Sequence, residues 1–241
     1  MSAIKKLEPL AALFPPNAGQ LYRRIRTYTG YEDFTGMRVL DIGAGIGLDS
    51  CGISLLGASE IIALEPELDG ATAKITSAFK DNMAKLGLNN IHIENVAIQD
   101  FSHPPESFDL IIMIAVINHL DEESVVVLHK DPTAQQRYVE ILQMISQWLK
   151  PGGRLALYDA ARYHAFMPLI NMGIIDKHPM APTIEWHKHQ QPNQWINVLE
   201  RAGYHDCEVV WSKVRGVSIP LWNFIVSPYF SIYAHKPHRK S

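Results

Sequence analysis

Three glycines at alternate positions close the run Val39-Leu40-Asp41-Ile42-Gly43-Ala44-Gly45-Ile46-Gly47, and a carboxylate, Asp41, stands two residues before the first of them. Glycine lacks a Cβ, so a turn built from it can visit backbone conformations closed to other residues and let a ligand lie directly on the peptide groups. Glu65 ends the next short apolar run, 18 residues after Gly47, and is followed by Pro66. A carboxylate there has two oxygens able to accept hydrogen bonds from both hydroxyls of a ribose. These residue types and intervals serve a nucleoside ligand. A dinucleotide fingerprint would place a glycine three residues after its second one. Leu48 stands there instead, so a nicotinamide-dependent (NAD(P)) reductase is the weaker alternative.

Asp41 and the three glycines resemble the first motif of the class I S-adenosylmethionine-dependent methyltransferases. The resemblance implies that the turn, Ala44 included, lies under the methionine part of the cofactor, with Asp41 orienting the turn and the cofactor amino group. It assigns Glu65 to the ribose. Asp100, in Val96-Ala97-Ile98-Gln99-Asp100, matches the position that receives the adenine amino group, with Ile98 or Gln99 near the ring. Pro66 and Ala115 complete the implied cofactor set. Phe108-Asp109-Leu110-Ile111 and Leu149-Lys150-Pro151-Gly152-Gly153 resemble the family's fourth-strand entry and the turn before its fifth strand. The likeness spans residues 37–159, so the choice of substrate falls to the parts outside it. The implied activity is methyl transfer from S-adenosylmethionine to an oxygen or nitrogen of a small molecule such as a sugar, metabolite or biosynthetic intermediate. A non-catalytic S-adenosylmethionine-binding module is a further alternative.

A methyl sulfonium is already an activated electrophile, so the protein mainly aligns the acceptor and excludes water. A hydroxyl or protonated amine is helped by a general base, for which histidine is suited near neutral pH. Ligands of open α/β sheets sit beyond the carboxyl ends of the strands, which brings Asn118 and His119 after strand four, and Asp159 and His164 after strand five, toward the acceptor. His119 is the first candidate base and Asp159 and His164 follow; a packing or helix-capping histidine beside Leu120 is the alternative for His119. Glu185, His187 and His189 alternate around Trp186, so an extended backbone would put all three on one face. With Asn118 and Tyr163 they form a candidate acceptor wall, solvated lid residues being the plainer reading. Two alternating histidines are a weak metal set, and no metal is expected. The Asp/Asn-Pro-Pro-aromatic signature of DNA amino-methyltransferases is absent, because Ile114-Ala115-Val116-Ile117 stands in its place.

From Met37 onward, short apolar runs alternate with helical segments, the pattern of repeated βα units around a parallel sheet. Residues 38–41, 61–64, 91–97, 108–114 and 155–158 read as five strands. Residues 48–56 read as a helix stopped by Gly57. Asp69 is a candidate N-cap for a helix carrying Ile75, Phe79, Met83 and Leu86, with Gly87 as its stop. Residues 132–149 read as a long helix, and 192–202 as a shorter one before a closing pair of strands at 208–211 and 229–234. The expected fold is α/β: a three-layer, doubly wound, mostly parallel seven-stranded sheet with an antiparallel last strand. One domain, 1–241, is expected: an arm or flap (1–36), loosely ordered through Pro16 and then a short basic helix at 20–28; a cofactor-binding core (37–159); a candidate lid (160–191); and a closing helix and strands (192–241).

With 47% hydrophobic and 20% charged residues, the 241-residue chain has material for a large core. A formal charge of −3 offers no global attraction to phosphate backbones and favours a small acceptor over nucleic acid. The basic clusters Arg23-Arg24-Ile25-Arg26 and His235-Lys236-Pro237-His238-Arg239-Lys240 read as solvated surface. Two distant cysteines, Cys51 and Cys207, match no disulfide framework or zinc knuckle and fit a reducing cytoplasm. The longest apolar run, residues 110–117, is strand-sized, so no membrane segment is expected. The oligomeric state is left open.

Overall fold

The computed structural model describes residues 1–66, 73–179, 181–212 and 228–239. Seven strands form one sheet: β1 (Arg38–Ile42), β2 (Glu60–Leu64), β3 (Ile91–Glu94), β4 (Phe108–Ile114), β5 (Leu149–Ala160), β6 (His205–Trp211) and β7 (Tyr229–His235). Their order is β3-β2-β1-β4-β5-β7-β6. The strands β1 to β5 pair in parallel, and β7 is antiparallel to both of its neighbours, β5 and β6. The doubly wound, mostly parallel sheet with an antiparallel last strand is therefore present.

Alternation along each strand builds two cores. Leu40, Ile62, Ile111, Met113 and Leu155 face one side, where they pack with Tyr138, Leu142, Val198 and Leu199 from α7 (Pro132–Trp148) and, beyond the short α8 (Met167–Asn171), α9 (Pro192–Arg201). Val39, Ile61, Ala63, Leu110 and Ile112 face the other, against α3 (Ala18–Thr29), α4 (Leu48–Leu55) and α5 (Ala73–Leu86). A two-residue period in the strands thus feeds a three-layer stack. No helix among the described residues is long and apolar enough to cross a membrane.

The strand order reverses between β1 and β4, so the loops leaving these two strands diverge and open a crevice at their carboxyl ends. The glycine turn leaves β1 there. A Cβ on Gly43 would come within 2.5 Å of Val116, just past β4, so the two loops touch at the switch point.

Three expectations need correction. The arm through Pro16 is ordered: α1 (Ala3–Lys6) and α2 (Glu8–Leu13) set Leu7 and Leu10 into the second core with no exposure, each contributing about 1.5–3 kcal/mol by burial. The fifth strand starts at Leu149 rather than at 155, because Gly152, at φ +77°, carries the chain through an irregularity between Phe108 and Leu110 on β4. A further helix that the pattern did not predict, α6 (Glu122–Val127), is capped by Asp121 accepting from Ser124 N–H at 3.0 Å. The Asp69 cap lies outside the described residues.

Candidate active site

The three glycines of the turn do different jobs. All have left-handed φ, +74° at Gly43, +54° at Gly45 and +79° at Gly47. A Cβ on Gly47 would stand 2.0 Å from the Phe79 ring, so this glycine, like Gly43, lets neighbouring elements close in. At Gly45 nothing lies within 4 Å of the same construction. The turn is packed at both ends and open in the middle, a cradle over which a ligand can lie on bare backbone.

Two carboxylates flank the turn. Glu65, buried at the end of β2, accepts the Gly45 N–H on Oε2 at 2.7 Å. One of its oxygens therefore steadies the turn, and the other is not engaged by that bond. Asp41 is buried and accepts from Ser50 Oγ at 2.6 Å. Burial pushes its carboxyl up to about 7, with the Ser50 bond opposing and the charges of Asp49 and Glu65 adding to the rise. A cationic amino group placed beside it would relieve that penalty. Open backbone and these two carboxylates fit the amino-acid and ribose ends of S-adenosylmethionine. Pro66 follows Glu65 half-buried, Gln99 donates to Leu120 O at 2.8 Å, Ile98 is buried, and the Asp100 side chain is exposed.

Next to this cradle a second cleft of about 370 Å³ opens at the ends of β4 and β5, bordered by Thr183, Ile184, Glu185 and His189; Ala115, Asn118, His119, Tyr158 and Asp159 line it, with Tyr229. Ala115 holds φ +55° with its N–H on Tyr158 O at 2.8 Å, joining the exits of the two strands. At the base, Nδ1 of His189 lies 2.8 Å from Oδ1 of Asp159, with both residues buried. Asp159 Oδ2 and Asn118 Oδ1 are buried with no partner among the described residues.

Around the mouth runs a chain of charges. His119, half exposed, holds Glu122 at 2.7 Å; Lys188 bridges Glu122 at 2.8 Å and Glu185 at 2.9 Å, fastening residues 185–188 to the start of α6. Those contacts hold Glu122 and Glu185 below the usual carboxylate range, through Lys188 first in each case.

Not all the expected residues gather here. The lid makes a 3-10 turn at Trp186–Lys188 instead of running extended, so Glu185 and His189 reach the cleft while His187 is turned out to solvent. Tyr163 is exposed outside the lining. His164 is buried within the lid, its ring 4.1 Å from Trp186 and 4.6 Å from His178, away from the cleft. Burial, with His178 beside it, pulls its imidazole down to about 4. No metal-holding group of acidic, histidine or cysteine side chains occurs among the described residues.

Sequence reasoning missed the contribution of α3. Arg24 makes a two-pronged bond to Asp49 on α4, at 3.0 and 2.8 Å, and lies over the Tyr28 ring. Tyr28 in turn packs on Tyr158, with centroids 3.9 Å apart. The cluster read as solvated surface therefore sends one arginine inward; its four-residue spacing from Tyr28, one helical turn, was the available signal.

The profile of the methyltransferase domain family matches residues 16–209. The chain belongs to that family. This methyltransferase is 27% identical over 205 residues to a ubiquinone biosynthesis O-methyltransferase of Cereibacter sphaeroides, covering 82% of this chain and 74% of that protein. Its fold is similar to a SAM-dependent methyltransferase from Aquifex aeolicus (TM-score 0.58, 19% identity, 96% of both chains). It is also similar to an S-adenosylmethionine-dependent methyltransferase from Mesorhizobium loti (TM-score 0.58, 14% identity, 91% of this chain and 97% of that one). The methyl donor of this methyltransferase is S-adenosylmethionine, and the reductase alternative has nothing left in its favour.

Proposed function

We propose that this protein methylates a hydroxyl oxygen of a small organic molecule bound between the β4 and β5 exits and the lid. The observation that carries this reading is the cleft itself: about 370 Å³, adjoining the glycine cradle, apolar at Tyr158, Ala160, Ile184 and Tyr229, polar at Asn118, Asp159 and His189. Such a volume suits a small ligand held by a few polar groups. The O-methyltransferase relative supports oxygen as the target atom. The net charge of −3 supports a small molecule over nucleic acid, and the unpaired Cys51 and Cys207 support a cytoplasmic setting.

When bound, S-adenosylmethionine supplies an electrophilic methyl group. The chain's part is to hold the cofactor on Gly45 between Asp41 and Glu65, to present the acceptor across Ala115, and to shut out water with the lid. The test is transfer of tritiated methyl from S-adenosylmethionine into a metabolite extract, followed by identification of the labelled product. Label in an O-methylated small molecule is expected. Cofactor binding with no transfer would make the protein a binding module, and label in nucleic acid would overturn the acceptor class.

A further inference from the structure

We propose that His189 is the base that takes the acceptor's proton and that Asp159 is the residue that positions it. This rests on the O-methylation reading. Two histidines line the cleft, and their surroundings differ. His119 sits half exposed at the rim, on a glutamate it shares with Lys188. His189 is 8% exposed on a carboxylate that is 1% exposed, where solvent screens the pair little.

With Nδ1–H donated to Asp159, the ring nitrogen left to His189 is Nε2, in the tautomer that carries a lone pair. The acceptor's O–H bond breaks and its proton passes to Nε2 as the oxygen's electron pair forms the new O–CH3 bond. The pair of the former S–CH3 bond stays on sulfur, giving a neutral thioether. Asp159 balances the imidazolium until it returns the proton to solvent. Asp159 Oδ2 and Asn118 Oδ1, buried without partners among the described residues, are left to receive donors from the acceptor. The titratable groups that line the cleft with the pair are Glu185, His119, Tyr158 and Tyr229.

The experiment combines kinetics with nitrogen NMR of the full chain. His189→Gln is expected to keep S-adenosylmethionine affinity and to lower kcat by about 10²- to 10⁴-fold, whereas His119→Ala lowers it far less. In the free wild-type protein, ¹⁵N shifts are expected to report the Nδ1–H tautomer for His189. Asp159→Asn, whose amide can donate to Nδ1, is expected to invert that tautomer and slow turnover without weakening cofactor binding. An unchanged kcat in His189→Gln, or an Nε2–H tautomer in the wild type, overturns the proposal. Should the wild type label no oxygen acceptor, the O-methylation reading fails instead, and the tautomer still decides the pair.

Discussion

Gly45 and Glu65 are joined by a 2.7 Å hydrogen bond from backbone N–H to carboxylate, linking the turn after β1 to the end of β2. One side chain thus shapes the cradle, and its remaining oxygen is the one the proposed function assigns to the nucleoside. Glu65→Ala is expected to weaken S-adenosylmethionine binding by about 1.5–3 kcal/mol, the range for hydrogen bonds to charged groups. Glu65→Gln, which still accepts from Gly45, loses less. Equal dissociation constants for all three proteins in calorimetry would reduce Glu65 to a support of the turn.

Gly45 and Gly47 separate binding from folding. Alanine at Gly47 meets Phe79 at 2.0 Å in a left-handed conformation, so the costs of overpacking and of backbone strain add to about 2–5 kcal/mol. At Gly45 the strain of about 1–2 kcal/mol stands alone. Urea unfolding is expected to rank Gly47→Ala well below Gly45→Ala, while calorimetry shows that the better-folded Gly45→Ala has lost the cofactor. The reverse ranking would mean that the open and packed glycines are misassigned.

Asp41 makes stability depend on pH. Its carboxyl titrates at about 7 in the folded chain and near 3.9 when unfolded. Between those values the folded state holds a proton that the unfolded state has released, so this contribution is full below about pH 4 and is lost as pH rises toward 7, by up to about 1.4 kcal/mol per unit. Subtracting urea-unfolding curves of Asp41→Asn from wild type should isolate that slope; a flat difference removes it. Binding a cationic cofactor beside Asp41 favours the charged form, so binding at pH 7 is expected to release protons, seen as an enthalpy that changes with buffer.

Strands and their turns were legible because short apolar runs cut off by glycine and proline are what a buried strand between loops requires. The glycine turn and its contact with Glu65 were legible for a related reason: they are built within one short stretch plus one carboxylate at a fixed interval. The cleft was harder to read. Asp159 and His189 lie thirty residues apart, and the alternation of residues 185–189 pointed to an extended wall, whereas the 3-10 turn rotates His187 outward. In the arm, Leu7 and Leu10 already carried helical spacing, and Pro9 sits in the first turn of α2, where no N–H is required. The 151–153 stretch looked like a terminator for the same reason, although a strand can pass through it with one irregularity.

Lys188 ties the lid to α6 through Glu122 and to its own segment through Glu185. Exposed ion pairs add little to global stability, so Lys188→Met is expected to leave the unfolding midpoint in place while speeding limited proteolysis within residues 160–191 and raising the acceptor KM. High salt should do the same to the wild type. Cleavage at an unaltered rate would show that Gln190, which donates to Val125 O at 2.5 Å, fastens the lid without help.

Helix α3 bears on both halves of the crevice: Arg24 grips Asp49 beside the glycine turn, and Tyr28 rests on Tyr158 in the lining of the second cleft. Its middle is seated so closely that a Cβ on Gly52 would come within 2.4 Å of Ile25. Because one helix packs against both, a substitution that loosens α3 is expected to weaken cofactor and acceptor binding together.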